Sequence, residues 1–522
     1  MHFGFSYIGL LYLVMLAVPN ILWTKHKPAG YDSYAANENR VLTTFERVGQ
    51  ALVSTAALIF SDFNLRPWTP WSLWLVASFV LMLLYELSWA RYFRSEQTMR
   101  DFYGSLLCIP VPIATLPVAA FLLLGIYGCN IVMIVSSVIL GIGHVGIHLA
   151  YRTEVLGAPE KKPLVVRIVR LVLAATFAVV LAAISLVIGV RNVRYISHND
   201  YFAKGVDEGI YLPLCGQEQY VLLMGKDVSN PVIVYLHGGP SSPDSFVTYS
   251  FADYLTDAYT FVCWDQRGCG RTYFRNEGSD PTNQTATFEQ AEADLDALVE
   301  YARQRFGQEQ VIIMGHSYGT VLGSQYALHH PDKVAAYVGV AQVTSLVTTD
   351  LYSYEDALSR ATEAGDDTSQ LEAALAAYRA DESLENLLAL RSVVSAYHPV
   401  RIADNETWCA VTSPYFGTDD FRWFLKQLGS MDAYFALNRQ LFDYTFSFDA
   451  YSQGSSFEMP VYLISGTDDW VCPVDSVRDY LDTIDAPSKD LFLLDGCGHN
   501  AQYALPEEFA RTVRDSLAQN VS

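Results

Sequence analysis

The chain has 522 residues, more than one ordinary domain needs, with 51% hydrophobic and only 17% charged residues. Residues 1–195 hold 15 Lys and Arg against 9 Asp and Glu, whereas the remainder holds 19 against 47, so a net charge of −22 is concentrated in the second part. A basic, apolar first part and an acidic second part suit a hybrid of membrane and soluble portions, and with no basic stripe the composition excludes nucleic acid as a partner.

Six apolar stretches in the first part approach the length of about 20 residues needed to cross a bilayer. They lie at roughly 3–23, 44–62, 71–90, 104–126, 129–150 and 168–190, and the second is crowded at its start by Glu46, Arg47 and Gln50. The first has its basic cluster (Lys25, His26, Lys27) after the apolar run and lacks a small-x-small cleavage site, so a retained span is expected rather than a signal peptide. One set of connecting loops carries Lys25, Lys27, Arg40, Arg47, Arg91, Arg94, Arg100, Arg152, Lys161, Lys162, Arg167 and Arg170; the opposite set carries little beyond Arg66. The positive-inside rule places the richer set in the cytoplasm. A multi-pass protein of the cell membrane follows, with residues 1–195 forming an all-α transmembrane domain and the C-terminal domain on the extracytoplasmic side. Arg191 and Arg194, beyond the last span, pull mildly the other way.

Three ionisable side chains stand out within these spans. Glu86 lies near one end of the third, and His144 and His148 lie at i and i+4 in the fifth, on one helix face. They suit a metal or proton site, or a buried polar cluster; Gly141, Gly143 and Gly146 around them suggest close helix packing.

From about residue 196 short β-rich runs alternate with helical ones, the pattern of a mainly parallel sheet covered by helices. The apolar run Val232–Leu236 leads into His237-Gly238-Gly239-Pro240, and the run Tyr259–Trp264 ends in Asp265-Gln266-Arg267-Gly268-Cys269-Gly270-Arg271. The strand Val311–Met314 runs into Gly315-His316-Ser317-Tyr318-Gly319, a G-x-S-x-G elbow between a strand and a helix. Such a turn lifts a serine hydroxyl to a helix N-terminus, where developing negative charge is favoured. A serine needs a base, and the base an orienting acid. The run Pro460–Ser465 leads to Gly466-Thr467-Asp468-Asp469, with Pro473 beyond, and Leu491–Leu494 leads to Gly496-Cys497-Gly498-His499. Ser317, Asp469 and His499 are therefore the expected catalytic residues, with Asp468 the alternative acid. The backbone N–H groups of Tyr318 and Gly239 are the expected oxyanion hole, with Gly238 beside the substrate. His316 is expected to be structural, and His329 and His330 to end a helix before Pro331. No cysteine lies in a zinc spacing, so free thiols are expected, with disulfides open in an oxidising space. This chemistry calls for no cofactor and no metal. Asn283-Gln284-Thr285 and Asn405-Glu406-Thr407 match glycosylation sequons.

Read together, HGGP, DQRGCGRT, GHSYG, GTDDWVCP and GCGHN resemble the proline iminopeptidase-like branch of α/β hydrolases (peptidase family S33), over roughly 205–520. The resemblance implies the α/β-hydrolase fold with a helical cap, about 344–456, in a domain spanning 196–522. It implies release of N-terminal residues, often proline, from short peptides, with the free amine bound by cap carboxylates; Glu355 is the candidate. The elbow departs from the family's usual GGSWG. The expectation is a membrane-tethered serine hydrolase, most simply an aminopeptidase acting on small peptides. One alternative is a carboxylesterase or lipase, with the cap aromatics Tyr415, Phe416, Phe421, Trp423 and Phe424 lining an apolar pocket. An alternative of another class is a membrane transporter or sensor using the hydrolase fold as a binding module.

Overall fold

The computed structural model of the protein describes residues 2–32, 38–65, 70–107, 109–157, 205–399 and 402–518, with short helical pieces between 183 and 198. Most of the expected sixth span, Cys108 and the loop charges Arg66, Lys161, Lys162, Arg167 and Arg170 lie outside the described residues. The chain divides into two compact units, Met1–Ile196 and Ser197–Ser522.

The first unit is built on helices α1 (Tyr7–Trp23), α2 (Arg40–Ile59), α3 (Leu73–Phe93), α4 (Pro112–Tyr127) and α5 (Ile131–Leu156). Among the described residues, α3 and α5 are long and apolar enough to cross a membrane, while α1 and α4 are shorter apolar helices. Helix α4 begins at Pro112, not near 104. A separate turn, Met99–Phe102, capped by Thr98, occupies the preceding stretch. Pro110 disfavours helix in the residue before it, whereas Pro112 suits a first helical position, where its missing N–H is no loss. The unit's core is aromatic, with Tyr85, Trp89, Tyr92, Phe102 and Tyr103 all buried.

The second unit holds one eight-stranded sheet. Its strands are β1 (Val206–Leu214), β2 (Gln217–Gly225), β3 (Val232–Leu236), β4 (Thr260–Trp264), β5 (Val311–His316), β6 (Val334–Val340), β7 (Val461–Gly466) and β8 (Lys489–Leu494). They run in the order β1-β2-β4-β3-β5-β6-β7-β8. The pairs β1/β2 and β2/β4 are antiparallel, and from β4 to β8 every pair is parallel. Strands β3, β4, β5 and β7 are buried at every position, as unbroken Val/Ile-rich runs in a parallel sheet should be. Helices α6 (Gly270–Asn276), α7 (Phe288–Phe306) and α8 (Tyr318–His329) lie between β4 and β6. The Thr287 hydroxyl accepts the Gln290 N–H to start α7, and Gly307 in the left-handed region ends it.

Between β6 and β7 the chain makes a run of helices. They include α9 (Leu346–Ala364), α10 (Ser369–Ala380), α11 (Leu384–Val394), α12 (Glu406–Val411), α13 (Thr418–Gly429), α14 (Met431–Leu437) and α15 (Arg439–Ser447). Two buried polar ties join this segment to α6 and to the loop before α7. Arg271 donates to the Asp420 carboxylate at 2.5 Å and to the carbonyl oxygen of Tyr415. Asn283 donates to the Gly268 carbonyl at 2.7 Å and to Asn438 Oδ1 at 3.1 Å. Of the two sequon asparagines, Asn283 is thus a buried packing residue, whereas Asn405 is exposed. The cap aromatics do not converge on one apolar pocket. Trp423 is buried and donates to the Ser241 carbonyl, Tyr415 bonds His198 and Asp207, Phe416 packs on Phe246, and Phe421 and Phe424 are exposed.

Candidate active site

Ser317 sits at the tip of the β5–α8 turn with φ 53° and ψ −121°, a strained conformation for a residue with a side chain. Its flanking glycines are sterically required. A Cβ on Gly315 would stand 2.3 Å from the Gly319 carbonyl oxygen, and one on Gly319 would stand 2.2 Å from that of Leu236. The G-x-S-x-G pattern is therefore the local signature of three backbones meeting at one point.

The loops after β7 and β8 bring the other two expected residues to this turn. They are laced together by Thr467 N–H to the Leu494 carbonyl (3.1 Å) and Asp468 N–H to that of Cys497 (2.8 Å). The Thr467 hydroxyl also accepts the Gly496 N–H at 2.8 Å. His499 Nε2 then lies 2.9 Å from Ser317 Oγ, and its Nδ1 lies 3.0 and 3.2 Å from the two carboxylate oxygens of Asp469. Asp469 is only 2% exposed, and its Oδ1 also accepts the N–H groups of Val471 and Cys472 at 2.8 and 3.0 Å. Asp468 is half-buried beside it and holds the loop by its backbone. The linked Ser-His-Asp groups can draw a proton from the hydroxyl into the imidazole while the carboxylate orients it.

Two further histidines support the site. His316 Nε2 donates to the His499 carbonyl oxygen at 3.1 Å, and burial lowers its pKa from 6.5 to about 3, so it stays neutral. His237 accepts the Gln266 N–H on Nε2 (3.3 Å) and donates from Nδ1 to the Gly238 carbonyl (2.8 Å); burial lowers its pKa to about 4. The glycine loop it anchors passes close to the serine. A Cβ on Gly238 would lie 3.1 Å from Ser317 Cβ. Gly239 takes φ +123°, outside the range comfortable for other residues. Tyr318 opens α8, where the first N–H groups have no partner within the helix.

Asp469, Cys472 and His499 bring three potential metal donors together. Burial and the Asp469 charge hold the Cys472 thiol well above its usual pKa, so it is a thiol and a poor ligand.

A cavity of about 530 Å³ opens beside His499, lined by Pro399, Ile402, Ala403, Asp404, Gly498, His499, Asn500 and Ala504. Glu355 is exposed on α9 and does not line it, so the acid beside this cavity is Asp404. The Asn500 amide donates to Asp404 (3.5 Å) and Glu406 (3.4 Å), and desolvation followed by the Asp404 charge raises the Glu406 pKa. The sequence alone offered no signal for these two acids. They sit among many cap acids, and only the fold brings residues 404–406 against residue 500.

The sequence profile of the alpha/beta hydrolase fold family matches residues 231–504. A Bacillus subtilis protein named "Probable aminopeptidase YbaC" is 24% identical over 310 residues, covering 58% of this chain and 93% of that protein. A proline iminopeptidase of Saccharolobus solfataricus is 32% identical over 129 residues, which span 25% of this chain and 38% of that protein. Among solved structures, a proline iminopeptidase-related protein of Thermus thermophilus aligns over 60% of this chain and 98% of its own, with 19% identity and a TM-score of 0.41. The profile spans more than half of the sequence and runs from the start of β3 through the His499 loop. The chain is a hydrolase that belongs to the alpha/beta hydrolase fold family.

Proposed function

We propose that the protein is a membrane-tethered serine hydrolase that releases N-terminal residues from short peptides. One observation carries this reading: a single imidazole, His499, bridges Ser317 Oγ at 2.9 Å and the buried Asp469 carboxylate at 3.0 Å. Ser317 Oγ attacks the substrate carbonyl as its proton passes to His499 Nε2. The N–H groups of Tyr318 and Gly239 hold the oxyanion. The C–N bond then breaks, the leaving amine takes the proton from His499, and the acyl group stays on Ser317 as an ester. Water, deprotonated by His499, attacks that ester; the acid leaves and Ser317 regains its proton.

The aminopeptidase reading rests on Asp404, which lines the cavity beside His499, with Glu406 next to it on the amide of the lining residue Asn500. The Asp404 carboxylate there attracts a protonated α-amine, and a cavity of about 530 Å³ admits one or two residues. The relatives named aminopeptidase and proline iminopeptidase agree with this reading. The tether rests on α3 and α5. Val76, Val80, Leu83 and Leu87 form an exposed apolar stripe on α3, as Val135, Val138 and Ile142 do on α5, and such stripes suit lipid.

A second reading, hydrolysis of acyl esters, is favoured by α13. Its Phe421, Phe424, Leu425 and Leu428 are 50–67% exposed at helical spacing. The test is turnover of proline and alanine anilides, their N-blocked forms and short acyl esters by the purified full chain. Preference for free-amine anilides, lost on blocking and in Asp404→Asn/Glu406→Gln, supports the aminopeptidase. Fast ester turnover indifferent to the amine moves the protein to the esterases. Fluorophosphonate labelling that survives Ser317→Ala overturns the nucleophile.

A further inference from the structure

The first unit holds a group of side chains for which the hydrolase chemistry has no use. His144 and His148 follow one another on α5 at i and i+4, with ring centroids 4.7 Å apart. Glu46 on α2 meets them, its carboxylate 2.5 Å from His144 Nδ1. Glu86, the third ionisable side chain that stands out within the spans, is not part of this cluster.

Helix packing makes the meeting possible. A Cβ on Gly143 would stand 2.2 Å from the Glu46 backbone nitrogen, and one on Gly49 would stand 2.4 Å from Leu140 Cα. The two helices thus touch backbone to backbone at two points close to the three side chains. That contact fixes which face of α2 looks at the histidines.

We propose that Glu46, His144 and His148 bind a divalent transition-metal ion of the zinc class. Their donor atoms lie within 4.8 Å of one another, and donors around a tetrahedral zinc stand about 3.3 Å apart, so modest side-chain rotation closes the site. Two imidazoles and one carboxylate match the ligand preference of zinc, and paired histidines at i and i+4 present both rings to one ion. A hydrogen bond between Glu46 and His144 accounts for only one ring, whereas a shared cation engages both rings and the carboxylate. Tyr103 Oη lies 3.4 Å from His148 Nδ1. As acceptor of that proton it leaves the Nε2 lone pair to the metal, the arrangement that fixes the tautomer of a ligating histidine. Three protein ligands leave the fourth tetrahedral position to water or another molecule.

The test uses the full chain purified in detergent. Metal content is measured by mass spectrometry, and cobalt substituted after chelation is followed by its visible spectrum. The expected result is about one zinc per chain and the absorption of tetrahedral cobalt, both retained in Glu86→Gln. Glu46→Gln and His148→Asn, close in size to the residues they replace, should weaken zinc affinity at least about 10–100-fold. The wild-type cobalt spectrum stands without any variant and so covers the case of a variant that does not fold. Zinc near zero in the wild type with no tetrahedral cobalt bands, or zinc unchanged in both ligand variants, would overturn the proposal in favour of a metal-free Glu–His pair.

Discussion

The imidazole of His316 donates its Nε2 proton to the backbone carbonyl oxygen of His499 across 3.1 Å. The residue preceding the elbow serine therefore holds the backbone of the residue that faces that serine. His316→Ala is expected to lower kcat about tenfold with KM nearly unchanged, because about 1.4 kcal/mol of positioning is lost from the transition state alone. His316→Gln, which keeps a donor, should recover part of it. Steady-state kinetics decides the matter, and a change confined to KM would contradict the positioning role.

Asp469 and Asp468 are neighbours in the chain with opposite expected consequences. Asp469 faces His499 and is buried, whereas the Asp468 contact to the His499 loop runs through its backbone N–H. Asp469→Asn should reduce kcat by about 10⁴-fold by favouring the wrong imidazole tautomer. Asp468→Asn should stay within about tenfold of wild type, since its backbone bond survives. Equal losses in the two variants would show that the acid acts through loop structure rather than through the imidazole.

The pair Arg271–Asp420 is buried at both ends and ties α13 to α6. Its neighbours Asp420 and Asp265, with Tyr220, keep the Arg271 guanidinium charged despite burial. Arg271→Ala strands the Asp420 carboxylate and should destabilise the second unit by about 3–5 kcal/mol. Removing both charges with Arg271→Met and Asp420→Leu should recover most of that loss. Thermal unfolding of the single and double variants measures it.

Acid sensitivity should come from buried histidines. The folded pKa of His316 is about 3 and that of His237 about 4, both lowered by burial from an unfolded value of about 6.5. Between those values the unfolded chain binds more protons, so these residues make stability fall as the pH drops below about 6.5. Asp244 has the opposite sign. Burial raises its pKa to about 7, so its contribution is lost as the pH rises from about 4 to about 7. Urea unfolding from pH 5 to pH 8, read by loss of fluorophosphonate labelling, should show His237→Gln flattening the acid side. Asp244→Asn should remove the opposing slope. An unchanged acid limb in His237→Gln would show that the ring is protonated in the fold.

Much of the candidate site was legible because its parts are short contiguous motifs. Gly315 and Gly319 flank Ser317 because the surrounding backbones leave no room for a Cβ, and that constraint is written into five consecutive residues. Asp469 and His499 each follow an apolar run at a strand end, where the loops of a parallel sheet converge. The acids around Asn500 were not legible. Asp404 and Glu406 meet Asn500 across more than 90 residues, and no local pattern distinguishes them from the exposed Glu355.

The sequence by itself determined the alternation of strands and helices, the family, the elbow and the loops that carry its partners, because periodicity and tight turns are local properties. Only the tertiary structure decided which distant side chains meet: Glu46 rather than Glu86 beside His144, Asp404 rather than Glu355 beside His499, and Asn283 turned inward. Such pairings depend on how helices rotate about their axes and how closely backbones approach. Close packing of residues far apart in the chain sets both.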